Sequence, residues 1–131
     1  MRAALWPEQK RRELDGERAV FMERRDRNAV FLARRADGRL CGFVEVSLRD
    51  YAEGCATSPV GFIEGWYVDA DLRRAGVGRA LVRAAEAWAR SRGCAEMGSD
   101  TEAENVTSQR AHAALGYSSQ RMVAFWRRLA T

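Results

Sequence analysis

The residues best suited to chemistry lie in mid-chain, where a glycine-rich turn joins an apolar run to a long amphipathic segment. The turn carries Gly76 and Gly78, with arginines on both sides. Glycine lets the backbone approach a ligand closely, and a helix start carries about half a positive charge on converging N–H groups. Anions bind at helix starts of this kind. The stretch predicts a pyrophosphate site, with Arg73, Arg74 and Arg79 adding positive charge.

A glycine pair alone is a weak signal, because an ordinary strand-to-helix connection also places glycines at the helix cap. The turn lacks the lysine and Ser/Thr that follow the last glycine of a P-loop. A dinucleotide-binding fingerprint needs a third glycine, but Leu81 stands at that position. Both common nucleotide-binding turns are therefore excluded.

Three further side chains are chemically notable. Glu64 lies in an apolar run, where an unpaired charge is costly, so it is either a functional carboxylate or half of a structural ion pair with one of the many arginines. Asp100 follows a short strand and is either a site residue or a helix cap. His112, the only histidine, is either functional or an ordinary packed residue.

The apolar periodicity predicts a mixed α/β order of elements around these residues. The predicted elements are a surface helix 8–25, strands 29–33 and 40–48 joined by a turn at 37–38, a strand 61–68, a helix 76–93, a strand 94–99, a helix 104–115 and a strand 123–126. The helix after the turn has an apolar face of Val77, Ala80, Leu81, Ala84, Ala85 and Trp88. Gly93 is expected to end this helix in a left-handed conformation.

Size and composition predict one domain, residues 1–131, in the cytoplasm. The net charge is +4, but the basic residues are scattered rather than arranged in one stripe, so no nucleic-acid partner is expected. No apolar run is long enough for a membrane span, and the N-terminus has no signal-peptide pattern. Three cysteines without a C-x-x-C pair and one histidine indicate free thiols and no metal site.

Two motifs in order resemble those of the GNAT superfamily of N-acetyltransferases. Arg73-x-x-Gly76-x-Gly78 matches the superfamily's [Q/R]-x-x-G-x-[G/A] signature, and Asn105 followed by Leu115-Gly116-Tyr117 is similar to its second motif. Further segments resemble the aminoglycoside 6'-N-acetyltransferases in particular. These segments are Leu5-Trp6-Pro7, Asp50-Tyr51, Gly54-Cys55, Ser58-Pro59-Val60, Phe62-Ile63-Glu64-Gly65, Ser99-Asp100-Thr101, Glu104-Asn105 and His112-x-Ala114-Leu115-Gly116.

The resemblance implies a GNAT fold, with a mixed, mostly antiparallel central sheet flanked by helices. The chain looks N-terminally short, without the family's usual first strand. The implied activity is acetyl transfer from acetyl-CoA to the 6'-amino group of an aminoglycoside by direct attack in a ternary complex, which confers antibiotic resistance. A homodimer is also implied, and the apolar strand 123–126 would suit an interface.

The same resemblance implies roles for individual residues. Main-chain groups of Trp66, Tyr67 and Val68 would hold the pantetheine arm, and Asn105, otherwise a helix cap, would touch the cofactor. The pyrophosphate would lie on Arg74, Ala75, Gly76, Val77, Gly78 and Arg79. Glu64 would bind the substrate amine and act as the general base, and His112 would contact the cofactor sulfur. The remaining substrate residues would be Trp6, Tyr51 and Asp100.

Two departures from the family pattern leave alternatives open. Arg121 stands where the family has a further acidic substrate residue, and Gln9 replaces a histidine after Trp-Pro. An acid replaced by Arg121 makes a peptide, protein or polyamine acetyltransferase of the same fold a credible alternative. The short N-terminus makes a catalytically silent acetyl-CoA-binding module a second one.

Overall fold

The computed structural model of the protein describes residues 26–120, 125 and 127–130. The chain divides into two compact units, Met1–Asp100 and Thr101–Thr131. The described elements are strands β1 (Asn28–Arg34), β2 (Leu40–Arg49) and β3 (Val60–Val68), a 3-10 turn (Ala70–Leu72), helix α1 (Val77–Ser91), strand β4 (Met97–Ser99) and helix α2 (Val106–Ala114). Over these residues, the predicted α/β order is confirmed.

Two predicted elements lie wholly or mostly outside the described residues. The surface helix 8–25 lies outside the described residues. So does most of the strand 123–126, of which only Phe125 is described; it is exposed and belongs to no strand.

The first unit is built on a four-stranded sheet in the order β1-β2-β3-β4. The first two pairings are antiparallel and the third is parallel, as the mixed, mostly antiparallel prediction requires. The predicted turn at 37–38 is present, with Gly38 at a φ of 87°. Its Asp37 carboxylate accepts from the backbone N–H of Arg39 at 3.0 Å and closes the β1–β2 hairpin.

Strand β3 is irregular at two points that matter for the site. Val46 pairs with Ile63 and Glu45 pairs with Gly65, so Glu64 is the extra residue of a β-bulge. On its other side, β3 pairs with β4 only over Gly61–Ile63. Among the described residues, the rest of β3 up to Val68 therefore has a strand partner on one side alone.

Helix α1 covers one face of the sheet, but it is rotated relative to the prediction. Its buried residues are Leu81, Val82, Ala85 and Ala89. Ala80, which was expected in the apolar face, is exposed, and Val77, Ala84 and Trp88 are only partly buried. The apolar-face prediction was wrong by a fraction of a turn, because small alanine side chains lie on several faces of α1 and leave the rotation to packing.

The end of α1 explains why β4 is shorter than predicted. Gly93 has a φ of 87°, which confirms the left-handed end. Cys94 still donates its backbone N–H to Ala89 at 3.1 Å, so it belongs to the helix terminus and not to a strand. Strand β4 consequently starts only at Met97. None of the helices in the described ranges has the length and apolarity needed to cross a bilayer.

The loop between β2 and β3 is anchored by one carboxylate, Glu96, next to β4. Its Oε1 accepts from the backbone N–H groups of Ala56 and Thr57, both at 2.8 Å, and from the Thr57 hydroxyl at 2.6 Å. These bonds, the one from the hydroxyl first, lower the pKa of Glu96 below its ordinary value of 4.5. The ionised carboxylate therefore holds the loop that carries Tyr51.

We predict that Glu96→Gln lowers the midpoint of thermal unfolding at neutral pH, because an amide oxygen is a weaker acceptor for three donors than a carboxylate. A lowered folded-state pKa stabilises the fold above the unfolded-state pKa, and that stability is lost as pH falls through the folded-state value. The difference between wild type and variant should be full near neutral pH and shrink on acidification through and below 4.5. Thermal melts at several pH values measure it.

The matched control is Glu102→Gln, which changes an exposed carboxylate with no side-chain partner in the described ranges. A wild-type advantage that stays constant from pH 7 to below the folded-state pKa of Glu96 would contradict the anchoring role.

Candidate active site

The turn between β3 and α1 has the unusual backbone that its glycines predict. Arg74 has a φ of 65° and Gly76, the residue before α1, has a φ of 88°. A non-glycine residue in the left-handed region is strained, and such strain tends to occur at functional sites. Two left-handed residues in three turn the chain sharply directly before α1 begins.

The start of α1 offers main-chain donors to a ligand. The first helical bond runs from Ala80 to Gly76 at 3.0 Å. In the described ranges, the N–H groups of residues 76–79 have no protein acceptor. Ala75 is less available, because its N–H makes a long bond of 3.4 Å to Leu72. Residues 73–76 are exposed. The predicted anion site is thus accessible and its donors are available at four positions.

Two arginines fix the turn through hydrogen bonds to residues that precede it. Arg35, in the β1–β2 hairpin, binds Asp71 with both terminal nitrogens at 2.8 and 2.7 Å and reaches Asp69 at 3.1 Å. These bonds raise the pKa of Arg35, and Arg35 lowers the pKa of Asp71. Arg73 donates from Nε to the carbonyl of Val68 at 3.0 Å. Arg73 therefore anchors the turn to β3, and the charge available to a ligand comes from the exposed Arg74 and Arg79.

The second glycine of the turn is favoured by packing rather than by backbone conformation. A Cβ atom at Gly78 would lie 3.1 Å from Cζ2 of Trp66, which is closer than about nine in ten such contacts. The indole of Trp66 thus lies directly against the first turn of α1. A side chain at this position would require the indole or the helix start to shift by a few tenths of an ångström.

The open edge of β3 presents alternate main-chain groups. Asp69 donates its N–H to Cys41 of the β2 side at 2.7 Å. Because successive residues of a strand point their main-chain groups to opposite sides, Tyr67 also faces β2, whereas Trp66 and Val68 face away from it. The bond from Arg73 to the Val68 carbonyl agrees with this direction. Of the three strand residues predicted to hold an extended ligand through the main chain, Trp66 and Val68 direct main-chain groups away from β2, and the ligand contacts of all three stay predictions.

Glu64 has the partner that a carboxylate in this strand needs. Arg49 on β2 donates from Nε to Oε1 at 2.9 Å and from an Nη to Oε2 at 2.8 Å. The Ser47 hydroxyl donates to Oε1 at 2.6 Å. The guanidinium also lies 3.6 Å above the ring of Phe62. The ion-pair interpretation of Glu64 is confirmed, and it does not conflict with a functional role.

The bulge puts Glu64 and Trp66, two residues apart, on opposite faces of the sheet. Ser47 and Arg49 lie on the same face as Phe62, opposite to α1. Glu64 continues the alternation of Val60 and Phe62 and therefore lies on this face, where its carboxylate meets Arg49. Trp66, two residues on, lies against α1 instead, because the extra residue interrupts the alternation. Asp100 follows β4 at the register position next to Glu64, so two carboxylates mark the point where β3 and β4 part.

The other predicted substrate residues are less constrained. Trp6 lies outside the described residues. Tyr51 is 63% exposed in the loop after β2. Its hydrogen bond with Glu53 raises the pKa of the phenol. Tyr51 is therefore accessible to a ligand, as its predicted role requires.

Asn105 and His112 belong to the second unit. Asn105 caps α2, since its side-chain oxygen accepts from the N–H of Ser108 at 3.0 Å. Nδ1 of His112 lies 2.7 Å from the carbonyl oxygen of Ser108, and its ring contacts Tyr117 edge-on at 5.9 Å between centroids. The ordinary cap interpretation of Asn105 is confirmed. The cofactor contacts of both residues stay predictions.

Sequence reasoning missed two residues of the site, Ser47 and Arg49. The signal was present in the hairpin, because two antiparallel strands joined by a loop place residues 47–49 opposite residues 60–62, next to Glu64. The exact register was needed to select Arg49 among the many arginines. That register depends on the length and conformation of the loop between β2 and β3, which the sequence alone does not give.

Comparison with known proteins identifies relatives of this chain. The model described as the acetyltransferase (GNAT) family matches residues 1–117. The aminoglycoside N(6')-acetyltransferase type 1 of Klebsiella aerogenes is 45% identical over 130 residues, which are 98% of this chain and 86% of the relative. The corresponding enzyme of Serratia marcescens is 40% identical over 98% of this chain and 88% of its own length.

Solved structures agree with the sequence matches. The complex of AAC(6')-Iy with the bisubstrate analogue CoA-S-monomethyl-acetylneamine superposes with a TM-score of 0.88 at 37% identity, over 99% of this chain and 88% of that one. The aminoglycoside 6'-N-acetyltransferase AAC(6')-Ih of Acinetobacter baumannii gives a TM-score of 0.87 at 32% identity, over 98% of this chain and 88% of its own.

We predict that Gly76→Ala lowers the free energy of unfolding by about 1–2 kcal/mol, because a left-handed residue with a Cβ atom is strained. A Cβ at Gly76 would meet nothing within 4 Å, so strain is the only cost. Gly38→Ala in the distant hairpin has the same φ class and the same empty surroundings. Urea unfolding of both variants should give similar losses. A cost-free Gly76→Ala would contradict the left-handed turn.

Proposed function

The chain belongs to the GNAT acetyltransferase family, within the aminoglycoside N(6')-acetyltransferases, and we propose that it acetylates the 6'-amino group of an aminoglycoside with acetyl-CoA. Such a modification removes a positive charge from the antibiotic and would confer resistance. The single observation that carries this proposal is the exposed turn at residues 74–79, whose main-chain donors lie next to the open edge of β3.

Acetyl-CoA would bind on the side of the sheet that α1 covers. Its pyrophosphate would take the N–H groups of residues 76–79, with Arg74 and Arg79 supplying charge. The pantetheine arm would run along β3 and use the main-chain groups of Trp66 and Val68, as a strand partner does. This arrangement leads the thioester toward the bulge at Glu64.

The amine would arrive from the opposite face, where the carboxylates of Glu64 and Asp100 lie. The two substrates would then meet where β3 and β4 part. A protonated amine has no lone pair for attack, so Glu64 would take its proton, directly or through a water molecule. The nitrogen–carbon bond forms, the carbon–sulfur bond breaks, and the departing thiolate takes a proton.

The remaining site residues complete the proposal. Asp100 would bind a second ammonium of the polycation, and Tyr51 together with Trp6 would form apolar walls for the sugar rings. Asn105 would contact the cofactor arm through groups that its cap does not use. His112 would contact the sulfur atom and is the proposed source of the thiolate's proton.

We propose a single acetyltransferase domain over residues 1–131 that works in the cytoplasm as a homodimer. The buried free thiols of Cys41 and Cys94 suit a reducing compartment. The peptide, protein or polyamine alternative depends on Arg121, which lies outside the described residues. An assay with several classes of amine separates this alternative from the main proposal.

The direct test is purified protein with acetyl-CoA and a panel of aminoglycosides, peptides and polyamines, with release of free thiol as the readout. We expect turnover with kanamycin or tobramycin.

We predict that Glu64→Gln lowers kcat by about 10²–10⁴-fold, because general-base help is lost. Its affinity for acetyl-CoA, measured by calorimetry, should stay within about twofold, because Glu64 acts on the amine.

The matched control is Asp37→Asn, which removes another carboxylate that is paired with an arginine, at 2.9 Å, far along the hairpin. This variant should turn over like wild type. Turnover of peptides alone would move the assignment to the alternative substrate class. Full activity of Glu64→Gln would remove Glu64 from the chemistry.

A further inference from the structure

We infer that Arg49 and Ser47 are positioning residues that leave Glu64 a single acceptor site, on Oε2, for the substrate amine. This inference rests on the proposed function, because it takes Glu64 as the group that receives the amine. It concerns the direction in which Glu64 accepts, which neither the family match nor the fold determines.

The first step is a count of acceptor positions. A carboxylate has two oxygens with about four lone-pair sites in total. Oε1 already accepts from the Ser47 hydroxyl at 2.6 Å and from Nε of Arg49 at 2.9 Å. Oε2 accepts from one nitrogen of Arg49 at 2.8 Å. Within the described part of the chain these are the donors to Glu64, so one position remains, on Oε2.

The second step is the rigidity of this arrangement. A guanidinium that binds both oxygens of a carboxylate fixes the plane of the carboxylate as well as its position. Arg49 is itself held, because its guanidinium lies 3.6 Å above the ring of the buried Phe62. Ser47 is also buried, at 7% exposure. Glu64 therefore cannot rotate to offer Oε1.

The third step is access. The side chain of Glu64 is 27% exposed and that of Arg49 is 42% exposed. The ion pair is thus accessible from solvent, although Ser47 and Phe62, which hold it, are buried. Partly exposed ion pairs contribute little to the stability of a fold. A contribution to stability therefore does not by itself explain why Arg49 and Glu64 form a bidentate pair at the point where β3 and β4 part.

The chemical consequence is directional. Arg49 compensates the charge of Glu64, so attraction of a polycation has to come from other acids, such as Asp100. What Glu64 supplies is one acceptor in one direction, which selects one N–H of a substrate that carries several amines. A carboxylate without Arg49 and Ser47 would accept amines from several directions and would lose that selection.

The experiment compares Arg49→Gln, Arg49→Lys and Ser47→Ala with Arg39→Gln, which removes an exposed hairpin arginine paired with Asp37. Steady-state kinetics with one aminoglycoside, calorimetry with acetyl-CoA and NMR of the acetylated product are the readouts. Assays run well below each variant's unfolding midpoint, so that a loss of stability is not read as a loss of activity.

For Arg49→Gln we expect kcat to fall about 10²-fold, as a misdirected catalytic group does, with acetyl-CoA affinity within about twofold of wild type. Arg49→Lys should recover about tenfold of this loss, because an ammonium keeps the charge but not the two-point contact. Ser47→Ala frees a position on Oε1, and a second acetylated regioisomer should appear. Arg39→Gln should match wild type in all readouts.

Normal kcat and one regioisomer in folded Arg49→Gln and Ser47→Ala would overturn the inference. So would equal losses in Arg49→Gln and Arg39→Gln. If Arg49→Gln does not fold, Arg49→Lys and Ser47→Ala decide by the same criteria. Wild-type protein without aminoglycoside turnover overturns both proposals. Wild-type turnover with unchanged variants overturns this one alone.

Discussion

The parting of β3 from β4 after Ile63 is the feature on which the site depends. Where the strands pair, their main-chain groups bind each other, and the sheet has nothing to offer a ligand. Beyond that point β3 keeps β2 as its partner on one side and presents Trp66 and Val68 on the other. An open strand edge is normally a liability in a protein. Here it runs directly into the turn whose donors face outward, so one continuous backbone path leads from Glu64 to residue 79.

The bulge and the turn give this path two different ends. At one end, the extra residue in β3 puts Glu64 and Trp66, two residues apart, on opposite faces of the sheet, with Trp66 against α1. At the other, two left-handed residues precede α1, whose first N–H groups have no acceptor in the described part of the chain. A thioester and an amine have to approach from different directions to react. The backbone irregularities therefore separate the two substrates, while the regular parts of the sheet hold the irregularities in place.

Several of the positive charges of the chain are paired within the protein. A net charge of +4 is unfavourable for a polycationic substrate, yet several arginines are compensated locally. Arg35 binds two aspartates, Arg49 binds Glu64 and Arg73 binds a carbonyl. Arg74 and Arg79, at the turn, are exposed, so their charge is accessible to an anion there.

The sequence was sufficient to predict strands β1, β2 and β3, the β1–β2 turn, the glycine turn before α1 and the end of α1 at Gly93, because each has a local cause. Gly93 and Gly116 each follow the end of a helix in the left-handed conformation, with a φ of 87° in both. The rotation of α1 and the partner of Glu64 were not predictable. Alanine-rich helices leave their orientation to packing, and Arg49 is selected by a strand register that contains a bulge.

The most direct measurement is a crystal structure of the protein with acetyl-CoA. The account predicts pyrophosphate oxygens within hydrogen-bond distance of the N–H groups of residues 76–79, and a pantetheine arm that bonds the main chain of Trp66 and Val68. A cofactor seated elsewhere, with those N–H groups bonded to the protein or to water, would contradict it.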